Sequence, residues 1–206
     1  MIRAATYRSV AVRAGVLAKL LWLLCCHSAL SAEVADYLSI PGPIQFGGTS
    51  YVFAWSSHPS ADYYKQEYFP AGQTSDHFDR MVLVEAIAKG IDVDGALRAR
   101  VAALNQRKAT DPLVNFAIVA NRQNGETIID FVIGDETGKE SIVEWNAYRY
   151  APLKVSGGGK GVLLFGISRR AYGDASTEFL RQLKSARTAD IDALARYPLP
   201  AVQLRR

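Results

Sequence analysis

"LVNFAIVANRQNGETIIDFVIGDETGKESIVEWNAYRYA", Leu113 to Ala151, is the stretch that decides the fold. It holds three runs rich in β-branched and aromatic residues: "LVNFAIVAN", "ETIIDFVIG" and "ESIVEWNAYRYA". Such residues suit a pleated, half-buried surface. Asn124-Gly125 separates the first two runs and Thr137-Gly138 the next two. Asn-Gly readily takes the positive φ values of a tight hairpin turn, so the three runs predict an antiparallel meander. Alternation assigns faces: Ile129, Phe131 and Ile133 share one side and Asp130 lies on the other, while Val143, Trp145 and Ala147 oppose Glu144 and Asn146.

Outward from this core the strand signals continue. "GVLLFGISRRA" (Gly161 to Ala171) adds the next strand after the Gly-rich loop "SGGGKG". "SYVFAWS", "YYKQEYF" and "MVLVEAI" supply three more before the meander. "DVDGALRARVAALNQRK" places Val93, Leu97, Val101 and Leu104 at helical spacing, with Asp92 or Asp94 as cap and Arg107 and Lys108 at the negative end. "DASTEFLRQLKSA" reads as a second helix, capped by Asp174 and buried through Phe179, Leu180 and Leu183, and a short helix around Thr188 to Arg196 ends before Pro198. The order β-β-β-α-β-β-β-β-α predicts an α+β domain, an antiparallel sheet of about six or seven strands with two main helices packed on it. "SIPGPIQFGGTS", Ser39 to Ser50, reads as a Pro/Gly entry segment, and no internal repeat or low-complexity tract is found.

The first 32 residues differ in kind. Arg3, Arg8, Arg13 and Lys19 occur without an acidic residue, then the apolar "LLWLLCC", then the small-residue patch "HSALSAEV". That is the order of a secretory signal peptide, with cleavage after Ala32 preferred and after Ser31 close behind. The apolar core is far shorter than the roughly 20 residues that span a bilayer, so an uncleaved anchor is the minor reading. Residues 1–32 are thus assigned as signal peptide and 33–206 as a single globular α+β domain, periplasmic or secreted, with no transmembrane segment once the leader is removed. The chain has 24 Lys+Arg and 20 Asp+Glu, so removing four basic leader residues leaves 20 of each. A nucleic-acid partner, which needs a basic surface, is not expected. Both cysteines, Cys25 and Cys26, fall in the leader, which leaves the mature chain without disulfides, thiol chemistry or a Cys-based zinc site.

Motifs of chemistry are sparse. "SGGGKG" fails as a phosphate loop, because Lys154 stands where the first Gly belongs, Gly161 follows the lysine, and a strand follows instead of a helix. His58 and His77 lie 19 positions apart on different elements, without metal-ligand spacing. No G-x-S-x-G elbow exists. No metal or other cofactor is expected.

The densest chemical stretch is "QEYFPAGQTSDHFDRM", Gln66 to Met81. His77 with Asp76, Asp79 and Glu67 could do acid–base work. Each residue also has a structural explanation: Pro70-Ala71-Gly72 turns the chain, Thr74 or Ser75 caps one short helical turn with Asp76 in it, and Phe78 points into the core. The structural reading is preferred. No catalytic residue is assigned, and Glu67, Tyr68, His77 and Asp79 stand as candidates for binding a ligand or partner.

"EYFPAGQTSDHF" resembles a pattern of the form E-Y-x-P-x-G-x-T-x-x-x-[FW], found in small exported bacterial proteins of unassigned function; Glu67, Tyr68, Pro70, Gly72, Thr74 and Phe78 carry it. The order of elements is similar to the PsbP/Mog1-type sandwich, whose members are mainly binding or assembly factors. The resemblance implies a non-catalytic exported binding or assembly/stress factor for an unknown protein or small ligand. The alternative is a periplasmic hydrolase or other acid–base enzyme using His77 with nearby carboxylates. A third reading is an envelope-surface protein held by its basic tail, Arg187, Arg196, Arg205 and Arg206.

Overall fold

A computed structural model describes residues 34–121, 123–155 and 159–205. The leader and its cleavage point at Ala32 lie outside the described residues. Among the described residues there are eight strands: β1 (Ile44–Phe46), β2 (Thr49–Ser60), β3 (Tyr63–Phe69), β4 (Arg80–Ile87), β5 (Asn115–Asn121), β6 (Glu126–Asp135), β7 (Ile142–Lys154) and β8 (Lys160–Tyr172). Two helices accompany them, α1 (Val93–Arg107) between β4 and β5 and α2 (Ala175–Arg196) after β8. The strands form one curled antiparallel sheet in the order β1-β2-β3-β4-β8-β7-β6-β5.

The expectation of an α+β domain with six or seven strands is therefore corrected: the protein is mostly sheet, and the sheet has eight strands. The extra strand is β1, hidden inside the Pro/Gly entry segment. Phe46 pairs with Thr49, so Gly47 and Gly48 form the whole turn, and both have positive φ, +56° and +76°. A two-residue hairpin with positive φ at both positions is where Gly-Gly is favoured. The glycines that looked like linker are a hairpin, and three residues of strand were too few to show a period.

Three local expectations also change. The separate helix at Thr188–Arg196 is the continuation of α2, since no Pro or Gly interrupts Ala175 to Arg196. Asp174 has helical angles and makes no side-chain cap bond. Asp92, by contrast, is extended and caps α1 by accepting from the Gly95 N–H at 2.9 Å. No helical turn forms at Thr74–Asp76. The Gln73 amide closes that loop: its Oε1 accepts from the Asp79 N–H at 3.1 Å, and its Nε2 donates to the Asp79 carboxylate.

Successive residues of the central strands fall alternately into two cores. Val82, Val84, Ile128, Trp145, Ala147, Phe165 and Ile167 pack under α2, with Leu183 and Leu194 from the helix and Leu38, Ile40 and Tyr68 from the other half of the chain. Leu83, Ile129, Phe131, Tyr148, Tyr150, Val162 and Leu164 pack under α1, with Val93, Ala96 and Leu104 from that helix. Each fully buried large apolar side chain contributes roughly 1.5–3 kcal/mol. Because both faces are covered, β7 is buried continuously from Val143 to Ala151. That explains its near-unbroken run of large residues, including the buried Asn146 and Arg149.

Candidate functional site

The face beneath α1 carries the buried polar residues Glu85, Asn146 and Ser168. β3, β4, β8 and β7 lie side by side there, and their register aligns Lys65 with Glu85, Glu85 with Leu164, and Leu164 with Tyr150. One step along the strands, Glu67, Leu83, Gly166 and Tyr148 form the next row. In the other direction, Tyr63, Ile87 and Val162 form a third. α1 crosses above with Ala96, Ala99, Arg100 and Ala103. Its alanines are short, and a crevice of about 260 Å³ remains between helix and sheet, walled by Ile87, Ile91, Val162 and Leu164.

Arg100 is the cation at this crevice. Its guanidinium carbon lies 5.1 Å from the Tyr148 ring centroid and 5.8 Å from that of Phe131. Its Nε donates to the Tyr150 hydroxyl at 3.4 Å. Among the described residues it forms no ion pair, and its two terminal nitrogens have no hydrogen-bond acceptor. The acids nearby already have a cation: Lys65 reaches Glu67 at 2.7 Å and Glu85 at 4.0 Å, and the same Lys65 lies 5.7 Å from the Trp55 ring centroid. An arginine fork seated on aromatic faces keeps its charge and presents its donors in one plane, which suits a carboxylate or another planar anion.

The seat of Arg100 is fixed from below. The Tyr148 ring lies against Gly166, where a Cβ would come within 2.7 Å of the ring. The Tyr148 hydroxyl donates to Asn146 Oδ1 at 3.1 Å, and Ser168 Oγ donates to the same oxygen. Burial holds the Tyr148 phenol well above its ordinary value, with Arg100 opposing. Burial likewise raises Tyr150 and Tyr63; for Tyr63 the Glu85 carboxylate adds to it. The phenols therefore stay neutral donors. For Arg100, burial works to lower the value, but Tyr150, Tyr148 and Glu85 together leave it raised, so the guanidinium stays charged.

The four candidate residues from the sequence are not brought together. Glu67 lies on the α1 face beside the crevice, paired with Lys65. Tyr68, the next residue, points to the opposite face, is wholly buried, and donates to the Ile40 carbonyl at 2.7 Å. His77 is exposed at the far end of the α1 face, stacked on Tyr172 with ring centroids 4.2 Å apart. Among the described residues it makes no hydrogen bond to Glu67, Asp76 or Asp79. Asp79 holds the loop through Gln73. The resemblance pattern here has a structural sense: Gly72 has φ +84°, the Pro70 carbonyl accepts from the Gln73 N–H at 3.1 Å, and Phe78 is buried against Phe69.

Glu85, Arg100, Tyr63 and Tyr150 were missed because they belong to different elements. One signal was present. Arg100 lies four residues from both Ala96 and Leu104, and both are buried, so a cation stands in the middle of the apolar stripe of α1.

Among the described residues, no three His, Cys, Asp or Glu side chains converge as a metal site, and no helix is long and apolar enough to cross a membrane. No curated protein and no solved structure was found to match the chain. A family model does match, over residues 38–199, which takes in all the described strands and both helices, and the chain belongs to that uncharacterised family of small proteins.

Proposed function

We propose that the protein is a non-catalytic, exported binding or assembly/stress factor of the periplasm, and that it holds a small ligand or protein segment bearing a carboxylate in the crevice between α1 and β4. The observation that carries the reading is Arg100: a charged fork set on Tyr148 and Phe131, in no ion pair among the described residues, at a largely apolar crevice whose one carboxylate, Glu85, is already reached by Lys65. Concave apolar sites with a few convergent polar groups are where small ligands bind. The apolar walls would take the body of the ligand and Arg100 its head. Glu67 and Trp55 stand at the open side, where they would meet a longer ligand or the rest of a protein partner.

Export rests on the leader, basic from Arg3 to Lys19 and apolar from Leu20 to Cys26, with cleavage after Ala32 or Ser31. The resemblance at Glu67 to Phe78 to small exported bacterial proteins supports the same location, and the PsbP/Mog1-like order of elements supports a binding role. Native mass spectrometry of the chain recovered from the periplasmic fraction of its own host tests the proposal. The expected result is a mature N-terminus at Glu33 or Ala32 and a bound acid that is lost in the Arg100→Met variant. A chain retained in the cytoplasm contradicts export, and a ligand that survives in the variant contradicts the site.

A further inference from the structure

The two edges of the sheet are unlike. β1 is three residues long and follows Pro41 and Pro43, so that edge offers little for another strand to pair with. β5 forms the opposite edge with seven residues, "NFAIVAN", and none of them is charged or a proline. Among the described residues no strand pairs with its outer side. Ile118 is 44% exposed and Val119 56%, and with the nearby Leu113 they make three of the five large apolar side chains exposed in the described residues. Natural edge strands are usually protected by charge, proline, a bulge or a cover; β5 has the Lys108 ammonium 4.9 Å from its Phe116 ring, but no proline, bulge or charged residue within the strand itself.

The sequence of the strand says what fits it. Read about Ile118, β5 has Asn at both ends, Asn115 and Asn121, and sets Phe116 and Val119 at positions symmetric to alanines. Laid antiparallel against a second copy with Ile118 opposite Ile118, Phe116 would face Ala120 and Val119 would face Ala117. Phe116 and Val119 each meet an alanine, Ile118 meets its own copy, each terminal Asn meets another Asn, and no residue of the strand itself is charged. A twofold contact of this kind is closed and self-complementary. Independently of the crevice, we infer that β5 is a self-association edge, on which a second copy of this chain pairs antiparallel about Ile118 to continue the sheet through both molecules.

One pair of seven-residue strands buries less than the roughly 800 Å² per partner of a standard stable interface, so the dimer is weak and depends on concentration. Sedimentation velocity of the chain as its host produces it, over roughly a hundredfold range of concentration, tests the inference. The wild type should move from the mass of one chain toward that of two as concentration rises. Val119→Lys and Ile118→Lys should stay at the mass of one chain over the same range. Both positions are exposed, so the circular dichroism and melting temperature of the variants should match the wild type and show that only the edge has changed. A wild type that stays monomeric throughout overturns the inference, and so does a Val119→Lys variant that associates like the wild type. A monomeric chain that instead binds an extended apolar peptide along β5 also overturns it and gives the edge to a different partner.

Discussion

The α2 face and the α1 face are made from alternate residues of the same strands, yet they are filled differently. Under α2 lie Trp145, Phe165, Val82, Val84 and Leu194, and several polar groups there pair within the fold. Trp145 donates to Asp130 at 3.2 Å, Arg187 pairs with Asp130, and Arg149 ends α2 by donating to the Leu194 and Tyr197 carbonyls at 3.0 and 2.7 Å. Both ends of the described chain close over this face: the Gln203 and Arg205 N–H groups donate to the Leu38 and Tyr37 carbonyls. Under α1 the core takes in Glu85, Asn146 and Ser168, the helix is shorter, and its alanines leave a crevice. Both faces therefore bury polar groups, which costs stability unless they are paired; what sets the α1 face apart is the crevice and the Arg100 guanidinium beside it, which forms no ion pair among the described residues. The comparison separates a face closed by the longer helix and both ends of the described chain from one that keeps a crevice, where the proposed ligand would sit.

The sharpest way to break this comparison is Trp145→Ala. The side chain is wholly buried, and its loss should cost about 3–5 kcal/mol, read from the urea midpoint. A cost under about 1 kcal/mol would mean that the α2 face is not the stabilising half. Gly166→Ala on the α1 face comes next. The new Cβ would press on the Tyr148 ring from 2.7 Å, with an overpacking cost of about 1–3 kcal/mol and displacement of the seat of Arg100. A crystal structure of that variant should show Tyr148 shifted, and an unmoved ring would separate Tyr148 from Gly166.

Asp111 sharpens the comparison by pH. It accepts from Arg107 Nε, the Gly134 N–H and the Leu113 N–H at 2.8, 2.8 and 3.0 Å, and so ties the end of α1 to β6 and to the approach of β5. Burial works to raise its value, but Arg107 and the two N–H groups outweigh burial and hold the carboxyl below the usual range. A carboxyl depressed in the fold contributes stability that is fully present above its unfolded value, near about 3.9, and is lost as pH falls through the folded one. Asp111→Asn should cost about 1–3 kcal/mol at neutral pH, and the gap to wild type should narrow as pH drops below about 4. A gap that stays constant with pH would show that the charge contributes nothing.

His77→Ala should have the smallest effect. The ring is exposed and stacked on Tyr172, so its loss should change stability by about 0.5 kcal/mol or less, read by thermal melting. If it also leaves ligand capture intact, the far end of the α1 face lies outside the site.

What could be read from the sequence follows the range of the signals. α1 and the β5–β6–β7 meander were legible because Asp92, Asn124-Gly125 and the alternation within each strand act over a few residues. β1 was not, since three residues carry no period, and the glycines that form its turn also mark linkers. The end of α2 was misread as a separate helix because no local breaker or continuity signal distinguishes Ala186 to Ala189. The crevice was illegible for a different reason. Lys65, Glu85, Leu164 and Tyr150 meet only through the register of four strands, and a register is not written in any one of them. Glu67 and Tyr68 show the converse: neighbours in sequence, they were grouped as one candidate surface, but adjacent strand residues point to opposite faces.

The central claim is that Arg100 receives an anionic head while the crevice takes an apolar body. The direct test is a titration of the ¹⁵N-labelled chain with hexanoate, with hexanol as the uncharged control, followed by amide shifts. Hexanoate should move the amides of Ala99 to Ala103 and Glu85 to Ile87 in a saturable way, hexanol should move them far less, and Arg100→Met should abolish the difference. Equal responses to hexanoate and hexanol, or shifts that appear only away from α1 and β4, would contradict the account.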